Sequence, residues 1–205
     1  MNLPMAPLRR RRLKRDDFTI ISNNCWAGSV YRYFGLPYKS PTAGLFFFAK
    51  DYVKFCSRLM HYTSVPLEFI NPKDSAHYAF LASKDELQVP IARLDDIEVI
   101  FLHYPTRVEA EKKWRRRCER INWDNLLIKF SQMNECEIQD LVDFDNLPFE
   151  RKICFTAERN AGIRCGVYFR GYEGTGNIDN DTTYFTRGIN ITKWLNTDPV
   201  TYELG

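Results

Sequence analysis

The side chains best placed for chemistry are two asparagines, a cysteine and a histidine. Asn23, Asn24 and Cys25 lie where an apolar run, Phe18 to Ser22, gives way to a helix pattern. A helix N-terminus offers unpaired backbone N–H groups and the positive end of a dipole, so this turn is a place to cradle a phosphate or carboxylate. A thiol there would have a lowered pKa and could serve as a nucleophile. The plain alternative is helix capping by the asparagines with an inert cysteine, because free cysteine mostly behaves as a small hydrophobe. The chain has three histidines, His61, His77 and His103, and only His103 directly follows a strong strand pattern, IEVIFL. A general base belongs at such a strand end, with Tyr104 beside it. The alternative is a half-buried histidine bonded to a neighbouring loop.

A third group is the basic segment from Glu109 to Asn125, EAEKKWRRRCERINWDN. Arg117 and Arg120 in this stretch are candidates to clamp a diphosphate, since a guanidinium binds two phosphate oxygens at once. The competing reading is a solvated helix laced with surface pairs such as Glu109–Lys113 and Glu111–Arg115. Two D-x-D triplets, Asp143 to Asp145 and Asp179 to Asp181, have the form of a site for magnesium on a nucleotide diphosphate. The first falls in a predicted helix and the second in a glycine-rich loop. No GxGxxG follows the first strand, and neither a P-loop nor G-x-S-x-G is present. Dinucleotide oxidoreductases, P-loop NTPases and α/β-hydrolases are therefore disfavoured.

These side chains need a scaffold. The patterns predict a strand at Phe18 to Ser22, a helix at Trp26 to Phe34 closed by Gly35 and Pro37, and an amphipathic helix from Ala49 to Tyr62. Residues 64–93, broken by three prolines, read as short strands or loops. A buried strand covers Ile97 to Leu102. A helix then runs from Thr106 to about Ile121, with Thr106 and Glu109 matching a capping box. Further strands are expected at Leu126 to Phe130 and Lys152 to Thr156. Between them lies a helix capped by Asn134, with Ile138, Leu141 and Val142 inward. A last strand starts near Val167. Strands alternating with helices indicate an α/β fold: a single domain with a mainly parallel sheet flanked by helices, Rossmann-like. Ligands of such sheets lie beyond the carboxyl ends of the strands. Asn23 to Cys25, His103 and Tyr104, Ser131, and Thr156 with Glu158 all follow predicted strands and would converge there.

The 205 residues suit one domain with a real core, and 44% hydrophobic with 27% charged residues indicates a globular chain. The formal charge is only +3, much of it in the run Arg9 to Arg15. Residues 1–15 read as a flexible basic leader and residues 16–205 as the α/β domain. The leader could make peripheral contact with an anionic membrane, with a solvated face as the bland alternative. Nucleic acid is a weaker third partner. No apolar run approaches a membrane span, and no apolar signal core follows the leader. The six scattered cysteines include no C-x-x-C pair, which disfavours a zinc knuckle or redox dithiol and suits a reduced, cytoplasmic protein.

Three strings carry a family resemblance: FTIISNNCWAGSVYRYFGLPYKSPTAGLFF, DIEVIFLHYPTRVEAEKKWRRRCERINWDNLLIKFS and LPFERKICFTAE. Together they resemble a bacterial family, domain of unknown function nineteen-nineteen, whose members are often labelled exopolysaccharide biosynthesis proteins. The resemblance spans nearly the whole chain after the leader. It implies a part in exopolysaccharide, capsule or lipopolysaccharide assembly, and it adds Gly28, Ser40, Thr42, Asn122 and Asp124 to the candidate ligand residues. Ala27 departs from the pattern, which has a second glycine after the tryptophan.

The resulting expectation is a cytoplasmic transferase that moves a sugar or substituted phosphate from a nucleotide-activated donor to a glycan acceptor; the residues fix no cofactor, Mg2+ with the donor being one option. Asn23, Asn24 and Gly28 would hold phosphate, Arg117 or Arg120 would neutralise the leaving group, and His103 would deprotonate the acceptor. A double-displacement version of the reaction would instead use Cys25 as nucleophile. The rival expectation is a non-catalytic glycan- or partner-binding module, to which the 15% aromatic content is suited.

Overall fold

The computed structural model describes residues 5–159 and 161–200. Its first elements are α1 (Ala6–Arg10), β1 (Thr19–Ser22), α2 (Trp26–Phe34), α3 (Ala49–Ser57) and α4 (Leu59–Ser64). Next come β2 (Glu68–Phe69), α5 (Tyr78–Ser83), β3 (Ile91–Leu94), β4 (Ile97–Ile100) and α6 (Arg107–Cys118). The chain continues through β5 (Leu126–Ser131), α7 (Ile138–Asn146), β6 (Lys152–Thr156), β7 (Gly166–Tyr168) and α8 (Ile191–Leu195). The protein is a single α/β domain. Four parallel strands in the order β1-β5-β6-β7 form the main sheet, and β2-β3-β4 form a small antiparallel sheet.

Side-chain alternation sorts the main sheet into two faces, as a strand's period of two requires. Ile21, Ile128, Phe130 and Cys154 face a core completed by Tyr52 and Phe55 of α3, Trp114 of α6 and Phe144 of α7. Ile20, Leu127, Ile153 and Phe155 face Trp26, Val30 and Tyr31 of α2 and Trp194 of α8. Truncating a buried aromatic such as Trp26 to alanine would cost about 3–5 kcal/mol. Helix α2 forms where the sequence places it, closed by Gly35 in the left-handed conformation at φ 65°.

Several expectations need correction. The predicted long helix from Ala49 breaks at Arg58 (φ −134°) into α3 and α4. The stretch 64–93 contains a helix, α5, besides short strands. The IEVIFL strand is not part of the parallel sheet. Asp95 takes φ 59° in a two-residue turn, so β3 and β4 pair antiparallel with Leu94 opposite Ile97. Such a turn needs positive φ, which aspartate tolerates. Glu137 caps α7 in place of Asn134, which sits at φ 56°. Leu141 is buried, but Ile138 is 73% and Val142 38% exposed. Thr106 caps α6 by accepting from Glu109 N at 3.2 Å, while the Glu109 carboxylate turns to Lys113.

The basic leader, expected to be flexible, packs from residue 5 onward. Helix α1 lies on α2, with the Arg9 guanidinium 4.1 Å from the centre of the Tyr33 ring. Among the described residues no helix is long and apolar enough to cross a membrane.

Candidate functional site

The end of β1 is tied to the rest of the sheet by side chains. Asn23 extends the β1–β5 ladder by one rung: its amide donates to Ser131 O at 3.0 Å and accepts from Ser131 N at 3.1 Å. Asn24 accepts from Trp26 N at 3.2 Å, and Ser22 Oγ accepts from Ala27 N at 3.3 Å. The first two N–H groups of α2 are thus satisfied internally. The anion cradle expected at this helix end is already filled by the chain's own oxygens.

Beneath the turn lies a polar group that the motif reading missed. Lys129 and Asp181 are both fully buried and ion-paired through Nζ and Oδ2. Asp181 also accepts from Asn24 Nδ2 at 2.7 Å and from Ser131 Oγ at 2.5 Å. Lys129 donates to Asn24 Oδ1 at 3.1 Å and lies near the Trp26 and Phe155 rings. Burial holds its pKa below the ordinary lysine value, with Asp181 opposing the shift only in part. A signal for it did exist: LLIKF is an otherwise apolar strand with one lysine, and a buried cation calls for a buried partner.

Above this group a cleft opens beyond the carboxyl end of β1, in two lobes that share Cys25, His103 and Thr182. Lobe one, about 380 Å³, has Phe46, Phe80 and Leu102 among its walls, together with the amides of Asn24, Asn134, Asn177 and Asn180. Glu86, Asp179 and Lys84 also line it. Lobe two, about 360 Å³, is lined by Arg32, Lys113 and Arg117 and by no carboxylate. Arg117 is only 7% exposed. It donates to Ala43 O at 2.5 Å and to Tyr104 OH, and stacks 5.2 Å from the Tyr38 ring centre. It has no ion pair with a carboxylate among the described residues, whereas Lys113 is paired with Glu109. Tyr104 in turn donates to Ala43 O at 2.7 Å. Its ring crowds Gly44, where a Cβ would lie 3.1 Å from Cε2 and the φ of 87° would strain any side chain.

The cleft gathers Asn24, Cys25, Gly28, His103, Tyr104 and Arg117. His103 arrives there although its strand is antiparallel, because Phe46 bridges Ile100 and His103 N bonds Gly44 O at 3.0 Å. Its ring is exposed and has no hydrogen-bond partner among the described residues. The expected activation of Cys25 is absent. Its thiol lies against Leu45 O at 3.7 Å, and burial pushes its pKa up to about 11.

Other candidates lie elsewhere. Asn23 is buried in the sheet. Ser40 and Thr42 are buried as an internal strut, bonded to each other at 2.9 Å, with Thr42 Oγ1 accepting from Ser22 N at 3.1 Å. Arg120 is exposed past the end of α6 and lines neither lobe. Asn122 and Asp124 precede β5, at the opposite edge of the sheet, where Asn122 donates to Asp17 O at 3.0 Å. Thr156 and Glu158 support the glycine-rich loop, with Glu158 accepting from Gly174 N at 2.7 Å. Neither D-x-D triplet offers two free carboxylates, since Asp145 holds Arg164 and Asp181 holds Lys129. Among the described residues no three His, Cys, Asp or Glu side chains gather as a metal site.

An uncharacterized protein of Haemophilus influenzae (strain ATCC 51907 / DSM 11121 / KW20 / Rd) is 26% identical over 195 residues, covering 91% of this chain and 88% of its own. The family model for Domain of unknown function (DUF1919) matches residues 4–202, the span that holds both sheets and both lobes, and the chain belongs to that family.

Proposed function

We propose that the protein is a cytoplasmic transferase of cell-surface polysaccharide assembly that binds a nucleotide-activated donor by its phosphates. The observation that supports this is the charge division of the cleft: three cations and no carboxylate line lobe two, while lobe one combines aromatic rings and amides with the carboxylates Glu86 and Asp179 and with Lys84. A buried guanidinium held only by a carbonyl and a phenol retains a full charge for a ligand to meet. Rings and amides suit a sugar. In this reading the acceptor hydroxyl gives its proton to His103 as its oxygen bonds to the transferred group. The donor's phosphate departs with the bonding electrons and is stabilised by Arg117. The protonated thiol of Cys25 forms wall at the junction, which favours single over double displacement. The glycan acceptor and the pathway rest on the label that the resembling family carries.

The test is a thermal-shift series with nucleotide sugars and other cytidine- and uridine-activated donors, with and without magnesium. A donor at ~100 times its dissociation constant should add ~2.7 kcal/mol of stability. At the same donor concentration that shift should fall to about 0.4–1.4 kcal/mol in Arg117→Met, and His103→Ala should lose on the order of 10²-fold in turnover. Losses below about tenfold for both His103→Ala and Asn24→Ala would sink the catalytic assignment. One observation favours a second reading, a glycan-binding module: no side chain among the described residues orients the His103 ring. Binding of glycan with indifference to every nucleotide would select it.

A further inference from the structure

We infer that residues 5–15 of the leader form a fixed docking surface for an anionic lipid bilayer. It is held in place by contacts that do not use its outward face. Arg9 stacks on Tyr33 of α2 and donates to Tyr33 O at 3.4 Å. Asn196, past the end of α8, accepts from Lys14 N at 2.8 Å and donates to Arg12 O at 2.9 Å. This clamp leaves two apolar side chains facing outward, Met5 at 58% and Leu8 at 48% exposure.

Charges around them fall into two kinds. Arg10 and Arg15 are neutralised by Asp16 and Asp17. Arg11, Arg12 and Lys14 are exposed and have no ion pair among the described residues. Exposed apolar groups beside uncompensated cations match a bilayer surface, where the apolar groups enter the interface and the cations meet anionic headgroups. A nucleic acid would use the cations alone and gain nothing from Met5 and Leu8. The surface also adjoins the cleft's own scaffold: α1 rests on α2, whose first turn contributes Gly28 and whose Arg32 lines lobe two.

The experiment is co-sedimentation of the full chain with phosphatidylcholine vesicles, with and without phosphatidylglycerol, at low and high salt. Binding should require phosphatidylglycerol and weaken as salt rises. The triple variant Arg11→Glu, Arg12→Glu, Lys14→Glu should lose about tenfold or more in partitioning. Leu8→Ser should lose about threefold at unchanged charge. Lys50→Glu, an exposed site on α3, should bind as the parent does, and unchanged melting temperatures would show that every variant folds. Three results would overturn the inference: a parent protein that stays in the supernatant at low salt, a triple variant that binds like the parent, or a Leu8→Ser variant that loses nothing. Displacement of the parent from vesicles by duplex DNA, with Leu8→Ser binding that DNA equally well, would assign the surface to nucleic acid.

Discussion

Lys129 and Arg117 are both buried cations beside the same cleft, and they are satisfied in opposite ways. Lys129 has a full counter-charge in Asp181, itself surrounded by Asn24 and Ser131. Arg117 has only dipoles, the carbonyl of Ala43 and the phenol of Tyr104. Removing a charge from water is costly and is offset best by an opposite charge close by. The first pair is closed and acts on the fold, gluing the glycine-rich loop to the sheet. The second is open, and in the reading proposed above its counter-charge arrives with the ligand.

The largest effect should come from breaking the closed pair. Lys129→Met strands Asp181 in the core and should cost about 3–5 kcal/mol in a denaturant titration. The double variant Lys129→Met, Asp181→Leu should recover much of that loss; failure to recover would mean that the loop depends on the ions themselves. Arg117→Met should behave in reverse. It should change stability by less than about 1 kcal/mol, because no buried charge is stranded, yet lower donor affinity by about 10- to 100-fold, the value of a charge-assisted hydrogen bond. A large stability loss with unchanged affinity would abolish the contrast. At the junction, Cys25 should alkylate slowly at neutral pH, in a variant whose other half-buried thiols, Cys118, Cys136 and Cys165, are replaced. The rate should rise with pH through about 11, because the raised pKa keeps the thiol protonated below that value. Fast alkylation near neutral pH would restore it as a candidate nucleophile. The smallest effect belongs to Asn122→Ala at the far edge, about 1 kcal/mol of stability from the lost bonds to Asp17 and no change in donor affinity.

How much of this could be read in the sequence depended on whether a signal was local. Helix α2 was legible because Gly35 and Pro37 mark its end, and β5 and β6 because their apolar runs are unambiguous. The convergence at the carboxyl edge was legible as well, through Asn24, Cys25 and Ser131. The β3–β4 hairpin was missed although Asp95-Asp96 between two apolar runs is a hairpin signal; IEVIFL read alone resembles any buried strand. No proline or glycine announces the break at Arg58, where tertiary packing decides. Asn122 and Asp124 matched a family string but lie at the wrong end of their strand, a matter of direction that a motif does not encode. The Lys129–Asp181 pair joins residues 52 positions apart, and sequence spacing contains no information about that contact.

Asn23 serves two sheets at once. Its side chain completes the last rung between β1 and β5, which releases its backbone carbonyl to accept from Phe47 N at 3.0 Å, next to the Phe46 bridge into the small sheet. Asn23 is thus one joint through which the two sheets are braced, beside the Phe46–Ile100 bridge. Any tilt of the small sheet, which carries His103, must pull on the carboxyl end of β1. The histidine and the cysteine are both tied to the same short segment, His103 N to Gly44 O and the Cys25 thiol to Leu45 O, and Asn23 anchors that segment at Phe47.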